Sequence, residues 1–307
     1  MYLITCLIIG FYTIQWSNYS SIRVRVRLKL SHGWVESYKK ISPTQYEFKL
    51  REGIYFQDGT PLNSTAVWFS LNRVLIMDGT SPTGVHGSQA AWIIQQMLDT
   101  SLSSYFSGDQ PYDEAWVKKV LDQNFVEIID EYRFRINIKH PTTQFEFLLS
   151  MPWAAIISPS SVISKDYEYH GWGEWDGNYT EYFVKMAGVG DTYFNVPTEG
   201  WRIGTGPYIL ESVDPTTYRI VLRRNPNYWG GPPEFHIGTP KIEIFEYIYQ
   251  PSLATRLLDL KAGKVTGIYV SPADIFSVVD REKWINEGKL VSIIPDVTVP
   301  RTGYDMV

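Results

Sequence analysis

The side chains best placed to do chemistry lie in the run His170-Gly171-Trp172-Gly173-Glu174-Trp175-Asp176-Gly177, where two carboxylates alternate with two indoles. Two acids flanking a sugar on an aromatic platform is the arrangement of a glycoside hydrolase, in which one carboxyl protonates the leaving oxygen and the other attacks or activates water. Acids in a glycine-rich loop are ordinarily solvated, however, and spacing in sequence does not set separation in space. Glu174 and Asp176 therefore define an alternative reading, an extracellular carbohydrate-active enzyme that loses turnover when either is changed. Other chemistries find less support. Gly204-Thr205-Gly206-Pro207 lacks the later glycine and the Lys-Ser/Thr pair of a phosphate loop, and a strand pattern follows it. No Gly-x-Ser-x-Gly elbow occurs. The histidines, His32, His86, His140, His170 and His236, include no i, i+4 pair, and the single cysteine, Cys6, excludes an intrachain disulfide and a Cys-based zinc site. The expectation is no metal and no cofactor. Sequons at Asn18, Asn63 and Asn178 favour export weakly.

The elements that would position these groups follow from periodicity. Tyr46, Phe48 and Leu50 alternate with Glu47 and Lys49, a strand ending at the Arg51-Glu52-Gly53 turn. Ile54-Tyr55-Phe56 starts a second strand, closed by Asp58-Gly59-Thr60-Pro61. Asn63 caps a helix over Asn63–Met77 whose stripe is Val67, Trp68, Leu71, Val74 and Leu75. Val126–Lys139 reads as a hairpin turning at Asp130-Glu131, and residues 158–200 read as loop-rich. Tyr208–Val213 turns at Asp214-Pro215-Thr216 and returns through Tyr218, Ile220 and Leu222. Ile242–Tyr249 is a long strand, Ser252–Ala262 a helix closed by Gly263, and Val265–Val270 a buried-type strand. Ser271-Pro272-Ala273-Asp274 reads as a capping box, and Leu290–Ile294 is strand-like. Strands and helices mix without strict alternation, an α/β pattern of irregular order.

The 307 residues suggest about two domains. A formal charge of −5 argues against a general nucleic-acid binder. The alternation Ile22-Arg23-Val24-Arg25-Val26-Arg27-Leu28-Lys29-Leu30 sets four cations on one strand face, which could touch phosphates in a basic-strand nucleic-acid binder but is read as a solvated face that blunts edge pairing. Aromatic residues make up 15% of the chain, a supply that suits large cores and also grooves for peptides or sugars. Met1–Trp16 is apolar but shorter than the roughly 20 residues of a spanning helix. A degenerate signal, a buried strand and a misplaced start all fit it.

Three ordered stretches carry a resemblance. Tyr46-Glu47-Phe48-Lys49-Leu50-Arg51-Glu52-Gly53-Ile54-Tyr55-Phe56-Gln57-Asp58-Gly59-Thr60-Pro61-Leu62 is followed by Val67-Trp68-Phe69-Ser70-Leu71-Asn72-Arg73. Gly204-Thr205-Gly206-Pro207-Tyr208 is followed by Arg224-Asn225-Pro226-Asn227-Tyr228-Trp229-Gly230-Gly231, and Thr255-Arg256-Leu257 by Ala262-Gly263-Lys264-Val265. Together they resemble the extracellular solute-binding proteins, family 5, of peptide, dipeptide and nickel ABC importers. The pattern is departed from in the first thirty residues, at Thr266 where an acid is common, and at Val307, where the second lobe should still be forming.

The resemblance implies a periplasmic-binding-protein-like fold (class II, two lobes and a hinge) whose first lobe carries an inserted subdomain and whose second lobe is truncated. It implies an atypical segment 1–33, an insert at 34–160, a returning first lobe at 161–263 and the beginning of the second at 264–307. It implies a monomeric, non-enzymatic binder outside the cell membrane that closes over an oligopeptide or oligosaccharide and presents it to ABC permease subunits, with no nucleic-acid partner. Tyr269, at the crossover into the second lobe, and His86 and Trp92, after the Ser81-Pro82 loop, are the expected ligand contacts. A one-walled chain is expected to bind weakly and to be loosely ordered beyond about residue 264.

Overall fold

Alternation decides the first sheet. The computed structural model describes residues 9–13, 27–31, 33–78, 113–143, 145–149, 154–187, 203–233 and 238–270. Strands β1 (Ile9–Thr13) and β2 (Arg27–Ser31) pair with each other. β3 (Val35–Ser42), β4 (Gln45–Leu50), β5 (Val126–Asp130) and β6 (Arg133–Asn137) form an antiparallel sheet of order β3-β4-β6-β5. In β4 the register places Phe48 between Tyr38 and Phe134, so Tyr46, Phe48, Leu50, Phe134 and Ile136 share the buried face. The other face carries charge: Arg135 bridges Glu47 and Glu127 at 3.0 and 3.1 Å. The Phe48 and Phe134 rings stack at 5.0 Å, and Tyr46 stacks on Phe145 at 3.8 Å.

Helices cover that face. α1 (Ser64–Asp78) packs on β5, and its N-cap Asn63 accepts from Ala66 N–H at 3.1 Å. α1 is buried nearly all round, from Ala66 through Ile76, which exceeds the single stripe expected. α2 (Glu114–Leu121) and α3 (Phe145–Leu149) follow. Where a loop was expected, α4 (Pro159–His170) and α5 (Tyr179–Ala187) fold against α1. Capping explains the difference. Ser158 accepts from Ser161 N–H, Pro159 opens the helix, and Gly171 ends it at φ +66, where a Cβ would be strained.

β7 (Tyr208–Asp214), β8 (Arg219–Arg224) and β9 (Ile244–Ile248) form a second sheet in that order. Asp214 caps the hairpin turn by accepting from Thr216 and Thr217 N–H. β9 is exposed along its length although Ile244, Phe245, Tyr247 and Ile248 make both its faces apolar. Two expected strands are absent. Ile54–Phe56 contributes only the bridge Tyr55↔Pro61, closed by Phe56 N–H to Thr60 O and Leu62 N–H to Ile54 O, because the chain reverses at once through the Gln57–Thr60 turn, where Thr60 N–H goes to Asp58 Oδ1. Val265–Val270 is irregular and finds no ladder partner among the described residues. The capping box at 271–274 and Leu290–Ile294 lie outside the described residues.

The chain divides into two units, Met1–Tyr12 with Leu28–Tyr247, and Thr13–Arg27 with Ile248–Val307. In the second, α6 (Leu253–Lys261) is capped by Ser252, which accepts from Thr255 N–H, and none of its residues is buried. No helix among the described residues is long and apolar enough to cross a membrane.

Phe48→Ala removes the centre of the aromatic stack, and urea denaturation should show a loss of about 3–5 kcal/mol. Lys49→Ala, the adjacent exposed position paired with Glu36, should leave the urea midpoint close to that of the wild type.

Candidate functional site

Two of the sequence stretches that carry the resemblance meet at one polar junction. The tight turn Gln57–Thr60 is possible because Gly59 adopts φ +87. Gln57 N–H donates to Gly204 O at 2.9 Å, and its side-chain amide donates to Tyr208 O at 2.7 Å and Gly206 O at 3.4 Å. Asn225 closes the other side, donating through Nδ2 to Gly206 O at 3.1 Å and through its backbone N–H to Pro207 O at 2.8 Å. Asp58 organises the turn. Its Oδ1 accepts from the Thr60 N–H and hydroxyl at 2.9 and 2.6 Å, and its Oδ2 accepts from the Ser158 hydroxyl. Ser158 N–H donates to Ile203 O at 2.8 Å, and Ser158 Oγ caps α4. A serine beside a carboxylate could suggest a nucleophile. Here Ser158 is fully buried and its proton is committed to Asp58, so the pair fastens chain to chain.

A second polar cluster ties the helices together. Asp166 on α4 is 0% exposed and accepts from Tyr182 OH at 2.6 Å. Arg73 on α1 donates through Nε to the same Tyr182 oxygen at 3.1 Å, with Nη2 3.9 Å from Asp166 Oδ2. Burial pushes the Asp166 carboxyl above the usual range. The Arg73 charge, the Tyr182 hydrogen bond and nearby His170 oppose that push only partly. Sequence reasoning placed Arg73 in a motif but missed Asp166, Ser158 and Tyr182. The available signal was the Ser158-Pro159 capping pair, whose helix carries Asp166 on its buried side.

The residues expected to act are dispersed. Glu174 and Asp176 are both exposed, and Asp176 Oδ1 accepts from Asn178 N–H at 2.9 Å to close a turn. The neighbouring rings pack inward: His170 stacks on Trp172 at 4.6 Å, and Lys185 lies over Tyr167 at 4.8 Å. Tyr269 is 70% exposed, its ring open to solvent. His86 and Trp92 lie outside the described residues. Among the described residues, no group of three or more His, Cys, Asp or Glu could hold a metal ion.

Comparison with known proteins bears on these findings. The model of the bacterial extracellular solute-binding proteins, family 5 (middle), matches residues 29–304. A di/tripeptide-binding protein 2 of Pseudomonas aeruginosa is 29% identical over 199 residues, 61% of this chain and 28% of that protein. The glutathione-binding protein GsiB of Escherichia coli is 23% identical over 257 residues, 83% of this chain and 37% of that protein. This chain therefore spans well under half the length of either relative. The Escherichia coli murein tripeptide binding protein MppA superposes with a TM-score of 0.58 at 16% identity, covering 94% of this chain and 43% of that chain. That likeness is one of fold, and the α/β, periplasmic-binding-protein-like architecture is the observed one.

Ser158→Ala should cost about 2–3 kcal/mol, since it removes a helix cap and the donor to a buried-side carboxylate. Asp166 makes stability depend on pH in a definite sense. Its folded value lies above its unfolded one, so its favourable contribution is full below the ordinary carboxylate range and is lost as pH rises through the raised value. Against Asp166→Asn in parallel urea titrations, the wild-type protein should lose stability between the two values as pH rises. A flat difference would contradict the raised value.

Proposed function

Because the chain belongs to the bacterial extracellular solute-binding proteins, family 5, we propose that it captures a short peptide outside the cell membrane and delivers it to the permease of an ABC importer. The observation that supports the peptide class is that the two curated relatives above bind di- and tripeptides and glutathione, both small peptides by name. Extended peptides suit a surface of backbone groups and rings, since strand-like hydrogen bonds hold the ligand without reading each side chain.

In this reading the protein is a monomer with no catalytic turnover. Residues 34–160 are the insert of the first lobe, 161–263 its return, and 264–307 the start of the second. Tyr269, with its ring open to solvent, packs on the bound solute, and His86 and Trp92 approach it from the loop after Ser81-Pro82. The junction of Gln57, Asp58 and Ser158 serves as the rigid base from which the lobe presents its binding face, and hinge closure over the ligand follows.

Thermal unfolding in the presence of dipeptides, tripeptides, glutathione and cello- or malto-oligosaccharides tests the proposal. A peptide at about a hundredfold its Kd should stabilise by about 2.7 kcal/mol, a rise in Tm of roughly 5 °C. Tyr269→Ala should reduce that rise. A response to oligosaccharides alone, or hydrolysis of them that stops with Glu174→Gln, would replace the peptide reading.

A further inference from the structure

The three sequons differ in what the fold does with them. Asn63 is half-buried at the start of α1, its Oδ1 holding Ala66 N–H, and the next residue, Ser64, is fully buried. That sequon is packed into the first turn of α1, with Ser64 buried. Asn18 lies outside the described residues. Asn178 is exposed, on the turn between Gly177 and α5, with Thr180 completing the sequon.

We infer that Asn178 is the attachment site of an N-linked glycan. The turn leaves Asn178 exposed. Asp176 Oδ1 accepts from Asn178 N–H at 2.9 Å and folds the segment, and Gly177 at φ +91 allows the reversal. Asn178 Oδ1 is committed to the backbone, accepting from Thr180 N–H at 3.0 Å and Glu181 N–H at 3.2 Å as the cap of α5. With Oδ1 held at the cap, Nδ2, the nitrogen that carries a glycan, is the half of this exposed residue's amide left out of the capping bonds. Because the linkage is itself an amide whose carbonyl persists, a sugar at Nδ2 keeps the helix cap intact.

In the transfer, Nδ2 bonds to the anomeric carbon of a lipid-phosphate-linked sugar. The bond from that carbon to the phosphate oxygen breaks, and the lipid phosphate leaves with the electron pair. The amide proton passes to a base of the transferase. Glycans of this kind sit on exposed segments of exported proteins, so the inference rests on the extracytoplasmic reading proposed above.

The test uses the protein isolated from envelope and cytosolic fractions of its own cells. Trypsin releases Asp166–Lys185, which holds only the Asn178 sequon, and Glu52–Arg73, which holds only Asn63. Mass spectrometry should find Asp166–Lys185 carrying a sugar adduct that yields sugar fragment ions, and Glu52–Arg73 bare. Asn178→Asp keeps an oxygen at the cap while removing the acceptor. Thr180→Val leaves Asn178 in place but breaks the sequon. Both variants should migrate at the unmodified mass, folded. A bare Asp166–Lys185 peptide in the envelope fraction overturns the inference and leaves the extracytoplasmic reading standing. A bare peptide in a protein found only in cytosol overturns both.

Discussion

One glutamine fastens the described fold. Gln57 uses a backbone and a side-chain amide to hold three carbonyls of the 204–208 segment, across 149 and 151 positions for the side-chain bonds. A neutral amide suits the task, since it donates twice without the desolvation a buried ammonium would suffer. Everything near it follows in order. The turn that Gln57 anchors aims Asp58 at Ser158. Ser158 starts α4, and α4 carries Asp166 to Arg73 and Tyr182, joining three helices over the first sheet.

This arrangement explains why the family resemblance concentrates in these stretches. Gln57-Asp58-Gly59-Thr60, Gly204-Thr205-Gly206-Pro207-Tyr208 and Asn225 bond to one another and leave few of their polar groups for a visitor. Such motifs report the framework strongly and the ligand hardly at all. Exposed and loop positions can change without loosening the junction.

Legibility in the sequence followed the same division. β4, the β5–β6 hairpin and the β7–β8 hairpin were readable because each alternates between turn residues, and α1 because Asn63 caps a long apolar run. α4 and α5 were hidden because glycines and tryptophans crowd the stretch between them, and only the caps Ser158 and Asn178 announce the helices. Ile54–Phe56 failed as a strand because the turn that follows it returns the chain after a single bridge, leaving no room for a longer ladder. Val265–Val270 has the composition of a strand, but composition cannot supply a neighbour. The burial of Asp166 was invisible for a related reason: an acid in a Ser- and Tyr-rich helix looks solvated until the partner helices are in place.

The long reach of Gln57 also sets a clock. A ribosome adding about 5–20 residues per second needs roughly 8–30 s to travel from residue 57 to residue 208. During that interval the emerging turn has no carbonyls to hold, and Ser158, once made, has no Ile203 to receive its amide. Contacts of such separation close late and slowly, so this junction stays unmade well into synthesis. An open chain is the form that can be threaded through a narrow channel, whereas one that locked early would arrive at the channel as an obstruction.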